Sequence, residues 1–387
     1  MMEKLLQSSS AFKAWIAGLL LLVLAGTVAY VCQLVYGLSV TNLSRDVSWG
    51  FYIAQFSFLG GVAASTLILL IPTYFHGFAP FRKILICSMF MAVAATVMAL
   101  LFIIVDLGQP QRALNVILHP SPSSLMFWDM VTLNAYLILS IVIGWVSLEC
   151  EKNGLEPPKW ITTMIYVLAI AALSTRIVGA FLFSGLPGRH YWLTAILAPR
   201  FLASAFSAGP ALLLLMVFIL RRLTGFDPGK QAVRSLAMIT AYAMAANVFF
   251  FLLELFTAFY SQVPGHMHAF TYLFSGHGGH GAWINGWMWF AVFAALFSLA
   301  LLIPPGFRDN ENILPFALVL VVIANWIDKG LSFMIGGFTP NPFGTVTDYY
   351  PSLAEVAIGI GIFAIGLAIL SCLWKIVLDV KKDAGTW

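Results

Sequence analysis

Ten stretches of this chain are apolar for about twenty residues or longer, and that length decides most of what the chain can become. An α-helix rises about 1.5 Å per residue, so about twenty apolar residues cross a hydrocarbon layer of about 30 Å. Strands of a membrane barrel would instead alternate apolar and polar residues over about ten positions. These runs do not alternate. The expectation is an all-α, polytopic membrane protein of about ten transmembrane helices. The predicted spans cover 14–38, 49–75, 84–106, 124–148, 160–183, 201–222, 232–262, 282–304, 313–337 and 350–378. Only 9% of residues are charged and the mean hydropathy is +0.93, which excludes an ordinary soluble domain, where roughly a quarter are charged.

The first run follows MMEKLLQSSSAFKAW. A cleaved signal peptide is the alternative, but the run is too long and lacks a small-residue cleavage site at the right distance. It reads as a retained helix. Lysine and arginine set the orientation. Lys4, Lys13, Arg82, Lys83, Lys152, Lys159, Arg221, Arg222, Lys230, Arg234, Arg308, Lys375, Lys381 and Lys382 fall on one face. Arg45, Arg112, Arg189 and Arg200 fall on the other, while Arg176 and Lys329 lie within spans. Both termini are therefore expected on the cytoplasmic side of the inner membrane. The formal charge of +4 is a topology signal and not a sign of nucleic-acid binding.

Charges inside apolar spans are costly and rarely idle. Arg176 is one; Asp106, Asp129, Glu254, Asp328, Lys329 and Glu355 are others. With the topology above, Asp106, Asp129 and Arg176 converge on the outer ends of spans two to five, with Arg112 and His190 in outer loops. Arg176 needs a carboxylate partner, and Asp106 or Asp129 is the candidate. Such a pair either clamps helices or forms a site that binds a ligand or moves protons. The Asp106–Arg112 string also reads as a helix end with an exposed ion pair, since Gly108 and Pro110 stop the helix.

The chain resembles its own second half. Phe58-Leu59-Gly60-Gly61-Val62-Ala63 and Phe206-Ser207-Ala208-Gly209-Pro210-Ala211 are 148 residues apart, as are Asp106 and Glu254. A four-span offset keeps orientation, so the reading is a parallel repeat of two four-helix bundles with flanking helices. The expected units are 1–48 (first helix and outer loop), 49–200 (first bundle), 201–345 (second bundle) and 346–387 (last helix and tail). Glu254, Asp328, Lys329 and Glu355, with His76 at an inner mouth, form either a proton or ion route or a remnant of duplication that only packs. Gly60-Gly61 and Ala63-Ala64-Ser65 provide a small face, for helix packing or for a flat ring.

Other chemistry is narrowed by what is missing. The four cysteines are scattered with no CxxC spacing, so no iron–sulfur cluster or zinc site is encoded. All seven histidines fall in loops or at span ends, where they cannot serve as axial ligands of a haem held within the bundle. His266, His268, His277 and His280 share one Gly-rich outer loop, read either as a metal site or as a docking or lid loop.

Trp49-Gly50 before Phe58-Leu59-Gly60-Gly61-Val62-Ala63-Ala64, then Asp106-Leu107-Gly108-Gln109-Pro110-Gln111-Arg112 and Pro120-Ser121-Pro122-Ser123-Ser124, resemble the polysulfide-reductase (NrfD/PsrC) family of membrane subunits. Tyr350-Pro351-Ser352 followed by Glu355 is similar to its ten-span branch, which includes membrane subunits of periplasmic hydrogenases and of the complex linked to dissimilatory sulfite reduction. The resemblance covers most of the chain. It implies two four-helix bundles, no cofactor held within the subunit, and a quinone pocket near the outer face of the first bundle. It also implies docking under an extracytoplasmic, four-cluster ferredoxin-like iron–sulfur subunit. Carried over by position, the pocket lies near Gly50, Ile53, Thr175 and Arg176. Ile53 stands where some members have a polar ligand to the ring, so Tyr52, Gln55 or His190 is expected to substitute, with Trp49 lining the ring.

The expected function is a haem-free subunit that binds menaquinone or menaquinol and exchanges electrons with that partner and with further redox subunits (cytochrome c, cytochrome b or catalytic subunits). Two protons accompany two electrons, so titratable groups must lie within reach of the ring. Asp106, Asp129 and His190 are the proton-exchange candidates, and Arg176 the stabiliser of charge. The rivals are a secondary transporter built on the repeat and a plain membrane anchor.

Overall fold

The computed structural model describes residues 9–385; Lys4, counted above among the inner charges, lies outside them. Ten helices are long and apolar enough to cross a membrane: α1 Ser10–Val40, α2 Phe51–Phe75, α3 Ala79–Asp106, α4 Leu125–Asn153, α5 Lys159–Ser184, α6 Leu197–Thr224, α7 Lys230–Tyr260, α8 Ala282–Leu302, α9 Leu314–Phe338 and α10 Leu353–Asp383. The chain is a multi-pass, all-α membrane protein. Among the described residues the only extended pairing is an isolated bridge between His277 and His280. The apolar runs locate every span. Three predicted ends fall short of the helix ends at 79, 153 and 383, where polar and charged residues continue the helix past the hydrocarbon. The loop after α7 also contains a helix, Pro264–Ser275, too short and polar to read as a span.

Helices α2 to α5 form a closed ring in which each packs on the next and α5 returns to α2. Helices α6 to α9 repeat the arrangement. The two rings meet where α2 and α5 pack on α6, and where α2 packs on α9. Helices α1 and α10 pair with each other, and α10 leans on α3. Burial follows from this plan. The span of α2 is 94% buried because it faces both rings, whereas that of α1 is 11% buried and turns its leucines outward. An apolar surface of that kind is stable only against lipid or another subunit.

The small-residue segments aligned as a repeat are the ones that touch. Gly61 faces Ala205, and a methyl group on Gly209 would overlap Ser65 of α2. The absence of side chains there lets α2 and α6 approach closely, the usual device for helices that gain nothing from expelling water. The second reading of this face, a slot for a ring, has less room than expected.

Helix α10 starts at a capping box. Ser352 caps the backbone amide of Glu355, and Glu355 returns to the amide of Ser352 at 2.8 Å. Fully buried, Glu355 also accepts from the Tyr349 hydroxyl at 2.5 Å and from the amide of Asn42 at 3.1 Å. Tyr349 in turn accepts from the amide of Phe51 at 2.7 Å. One carboxylate thus ties the starts of α10 and α2 to the loop after α1.

Candidate functional site

Arg176 lies on α5, 4% exposed, at the junction of α5 with α2 and α6. Its Nη1 donates to the carbonyl of Ser57 at 3.0 Å, and its guanidinium sits over the ring of Phe201, 4.6 Å from the centroid. Gly60 and Gly61 make the space: a Cβ on Gly60 would stand 3.1 Å from Nη1 and one on Gly61 3.7 Å from Cζ. The glycine pair therefore serves an arginine as well as helix packing. Its sequence position could not reveal this, because the arginine arrives from another helix.

Asp129 of α4 is the carboxylate whose charge acts on Arg176. It is 5% exposed and lies beside Gly179, one turn beyond Arg176 on α5. No ion pair closes between them within 4.0 Å. The Nε of Arg176, the Oδ1 of Asp129 and the hydroxyl of Ser57 are all buried without a hydrogen-bond partner. Thr175 is buried too, but its hydroxyl returns to the carbonyl of Ala172 at 2.8 Å. Ile53 shares the face of α2 that carries Ser57 and Gly60, since residues four and seven apart align.

The other sequence candidates are dispersed. Asp106 ends α3 near Tyr52 and Glu355 and makes no ion pair with Arg112, which is exposed. Tyr52 donates to Gln33 of α1 at 2.7 Å, and Gln33 donates to the carbonyl of Val105 at 2.6 Å. Gly50 is glycine because the ring of Tyr349 occupies the place of a side chain. Gln55 turns to α9, where it accepts from the Trp326 indole at 2.8 Å, leaving its own Nε2 unpartnered. Trp49 stacks on Trp192 with centroids 6.0 Å apart and meets Phe183 and Phe338 edge-on. This aromatic layer closes the end of the first bundle. His190 is exposed in the loop after α5 and packs against Gly265, lining a cavity of about 200 Å³ with Tyr191 and His268. Of the expected groups, Asp129 and Arg176 come together; Ser57, which the sequence did not single out, joins them, and Ile53 lies on the same face of α2.

The histidine loop is tied down at one end. Asp348 accepts from the Tyr272 hydroxyl at 2.9 Å, from the Gly281 amide at 2.8 Å, and pairs with His280 Nδ1 at 2.8 Å. Burial alone would raise the Asp348 carboxyl; hydrogen bonds from His280, Tyr272 and Gly281 outweigh it and hold the group below the usual carboxylate range. Burial and the neighbouring His190 lower His266.

The second bundle holds a different arrangement. Arg200, 1% exposed, donates to Glu254 of α7 and, at 2.5 Å, to Asp328 of α9. Lys329 Nζ lies 2.8 Å from the other oxygen of Asp328. A π-helical segment, Ile327–Leu331, interrupts α9 here and brings both neighbours, Asp328 and Lys329, into the interior. Two cations and two anions thus form a neutral quartet. The hydropathy pattern puts Arg200 among the outer-loop charges. The structure corrects this: α6 begins at Leu197, and Pro199 lies in its first turn, where proline is tolerated and marks a helix start. That proline was the available signal. Glu355 and His76 do not join this group. Glu355 is spent on the α10 cap, and His76 is exposed at the opposite end, at the close of α2.

The model of the polysulphide reductase NrfD family matches residues 39–332. Full-length relatives are similar at low identity. A Halobacterium salinarum protein, provisionally named as the membrane subunit of a dimethyl sulfoxide reductase, is 24% identical, covering 92% of this chain and 89% of its own. A selenate reductase subunit of Mesobacillus selenatarsenatis is 20% identical, covering 96% and 95%. The menaquinone reductase integral membrane subunit of Nitratidesulfovibrio vulgaris is 22% identical, covering 97% and 94%. The family match spans most of the chain, so the chain belongs to the NrfD family of membrane subunits.

Proposed function

We propose that this NrfD-family chain is the haem-free, quinone-reactive subunit of a respiratory redox complex in the inner membrane, with both termini cytoplasmic. Menaquinol or menaquinone is bound in the first bundle, 49–200, toward the end that carries the α3–α4 and α5–α6 connections. Electrons pass to or from an extracytoplasmic four-cluster ferredoxin-like subunit and onward to further redox subunits. Anaerobic sulfur metabolism is the setting we favour, from the ten-span resemblance. The names of two relatives, a menaquinone reductase subunit and an Hdr-like menaquinol oxidoreductase subunit of Archaeoglobus fulgidus, support the ligand class.

One observation carries the reading: Arg176 and Asp129 are buried and within each other's field, yet unpaired, with Ser57 beside them. A buried polar atom without a partner costs about 1–3 kcal/mol, and here, unlike in the second bundle, no ion pair offsets that cost, which supports a polar ligand at this place. A quinone fits that donor set, offering ring oxygens to Arg176 and Ser57 on a flat apolar body that suits Ile53 and Phe201. Bound there, it supplies a two-electron, two-proton couple. Arg176 holds a ring oxygen and stabilises negative charge on it. Asp129 accepts or returns a proton, its charge balanced by Arg176 when it is ionised. Trp49, Trp192 and Phe183 keep bulk water from the pair. A transporter would need the second-bundle charges to open to water, but they close on one another.

The test is Arg176→Leu in the intact complex. Bound menaquinone and menaquinol oxidation should both fall, with partner subunits still attached. Unchanged quinone content and turnover would remove the site from this pair. A wild-type complex that never carries quinone would favour the anchor.

A further inference from the structure

The second bundle opens to the lipid along a slot of about 300 Å³ between α7, α8 and α9. Its walls run from Met244 to Phe259 on α7, a length of about 22 Å at the helical rise. Phe251, Phe274, Met288 and Trp289 give it flat, polarisable sides, and Asn247 and Asp328 add polar groups to an otherwise apolar lining. Leu252 and Leu296, on its rim, are more than half exposed on the lipid-facing surface.

Asn247 discriminates among occupants. It is 4% exposed, and its Nδ2 donates to Asn325 at 3.3 Å. Its Oδ1 has no donor. The residue sits near the middle of α7, Lys230–Tyr260, and so near the middle of the bilayer. A phospholipid keeps its polar head at the membrane surface and would present only hydrocarbon at that depth. A free buried acceptor there calls for a ligand that carries a hydroxyl into the apolar phase on a flat ring. No donor of the Arg200–Glu254–Asp328–Lys329 cluster reaches this oxygen, and the cations there are ion-paired with carboxylates instead.

We propose that this slot is a second quinol-binding site, entered from the lipid, with a hydroquinone hydroxyl donated to Asn247 and the ring held between Phe251 and Trp289. It shares a ligand class with the first-bundle reading but none of its residues, so either can fail alone.

A photoreactive azido-naphthoquinol, added to the full chain with its co-purifying subunits in lipid nanodiscs, tests it by peptide mapping. The expected result is label on α7 and α8 around Phe251 and Trp289 in wild type and in Arg176→Leu. Asn247→Leu, close in shape, should weaken this labelling about tenfold. Ala295→Trp, which fills the slot, should abolish it, with a monodisperse elution profile confirming folding. Absence of label on α7 and α8, or label indifferent to both substitutions, overturns the proposal. So does recovery of phospholipid alone from the slot by native mass spectrometry.

Discussion

In the second bundle Arg200 lies between Glu254 and Asp328, and Lys329 completes a neutral quartet. In the first bundle Arg176 meets a peptide carbonyl and an aromatic face, while Asp129, beside Gly179, makes no ion pair with it. The rings around them are built alike, and the two sites meet along α6: Phe201 carries Arg176, and Arg200 is the adjoining residue. Both bundles bear the cost of burying charge. Only the second closes ion pairs within 4.0 Å, although Arg200 Nε, Glu254 Oε1 and Lys329 Nζ there also lack hydrogen-bond partners. Charges that satisfy each other clamp helices, and charges left open are free for a ligand. The same residue types thus carry structure in one repeat and, in our reading, chemistry in the other.

The sharpest way to break this comparison is Arg200→Leu. Removing one partner from a buried ion cluster leaves carboxylates uncompensated, at about 3–5 kcal/mol. The protein should largely fail to accumulate in membranes, as read by yield and elution profile. Arg200→Leu with Glu254→Leu keeps the neutral Asp328–Lys329 pair and should recover much of that loss. Failure of the double variant to improve on the single one would mean the quartet is not closed in the sense used here.

Arg176→Leu should behave in the opposite way. Accumulation should be near normal, while menaquinol oxidation falls about a hundredfold, with Asp129→Asn costing about tenfold. Equal instability of Arg176→Leu and Arg200→Leu would erase the distinction between the bundles.

Gly60→Ala sharpens it on a smaller scale. The added methyl would stand 3.1 Å from Arg176 Nη1 and push the guanidinium, whereas Gly286 has open space for one. We expect about a fivefold rise in the apparent KM for menaquinol from Gly60→Ala and none from Gly286→Ala.

The smallest effect lies outside the bundles. Asp348 is held below the usual carboxylate range, so its contribution to stability is complete above the unfolded value, about 3.9, and is lost as pH falls through the lower folded value. Asp348→Asn should cost about 0.5 kcal/mol at neutral pH and flatten the acid limb of the unfolding midpoint against pH. It should leave quinone content untouched.

Much of the fold was legible because it depends on local transfer free energy. Runs of Leu, Ile, Phe and Val mark a helix in lipid whatever its neighbours are, so the spans could be read directly. Gly60-Gly61 could be recognised as a close-approach face, but not what approaches it. Arg200 escapes such a reading for a local reason: hydropathy begins at Phe201, and only Pro199 hints at an earlier start. Asp106, Tyr52, Gln55 and His190 fall toward the same ends of their spans or loops as Arg176, which makes them look like one site. They face different neighbours because each helix has its own rotation about its axis.

By itself the sequence determined how many times the chain crosses the membrane, which charges most spans carry and which family the pattern belongs to. These follow from composition along one dimension, where each residue answers to its own solvent. Which carboxylate meets which arginine was decided only in three dimensions. Lateral packing and helix rotation gave Arg200 two anions, gave Glu355 a helix cap, and left Arg176 and Asp129 buried on neighbouring helices without an ion pair.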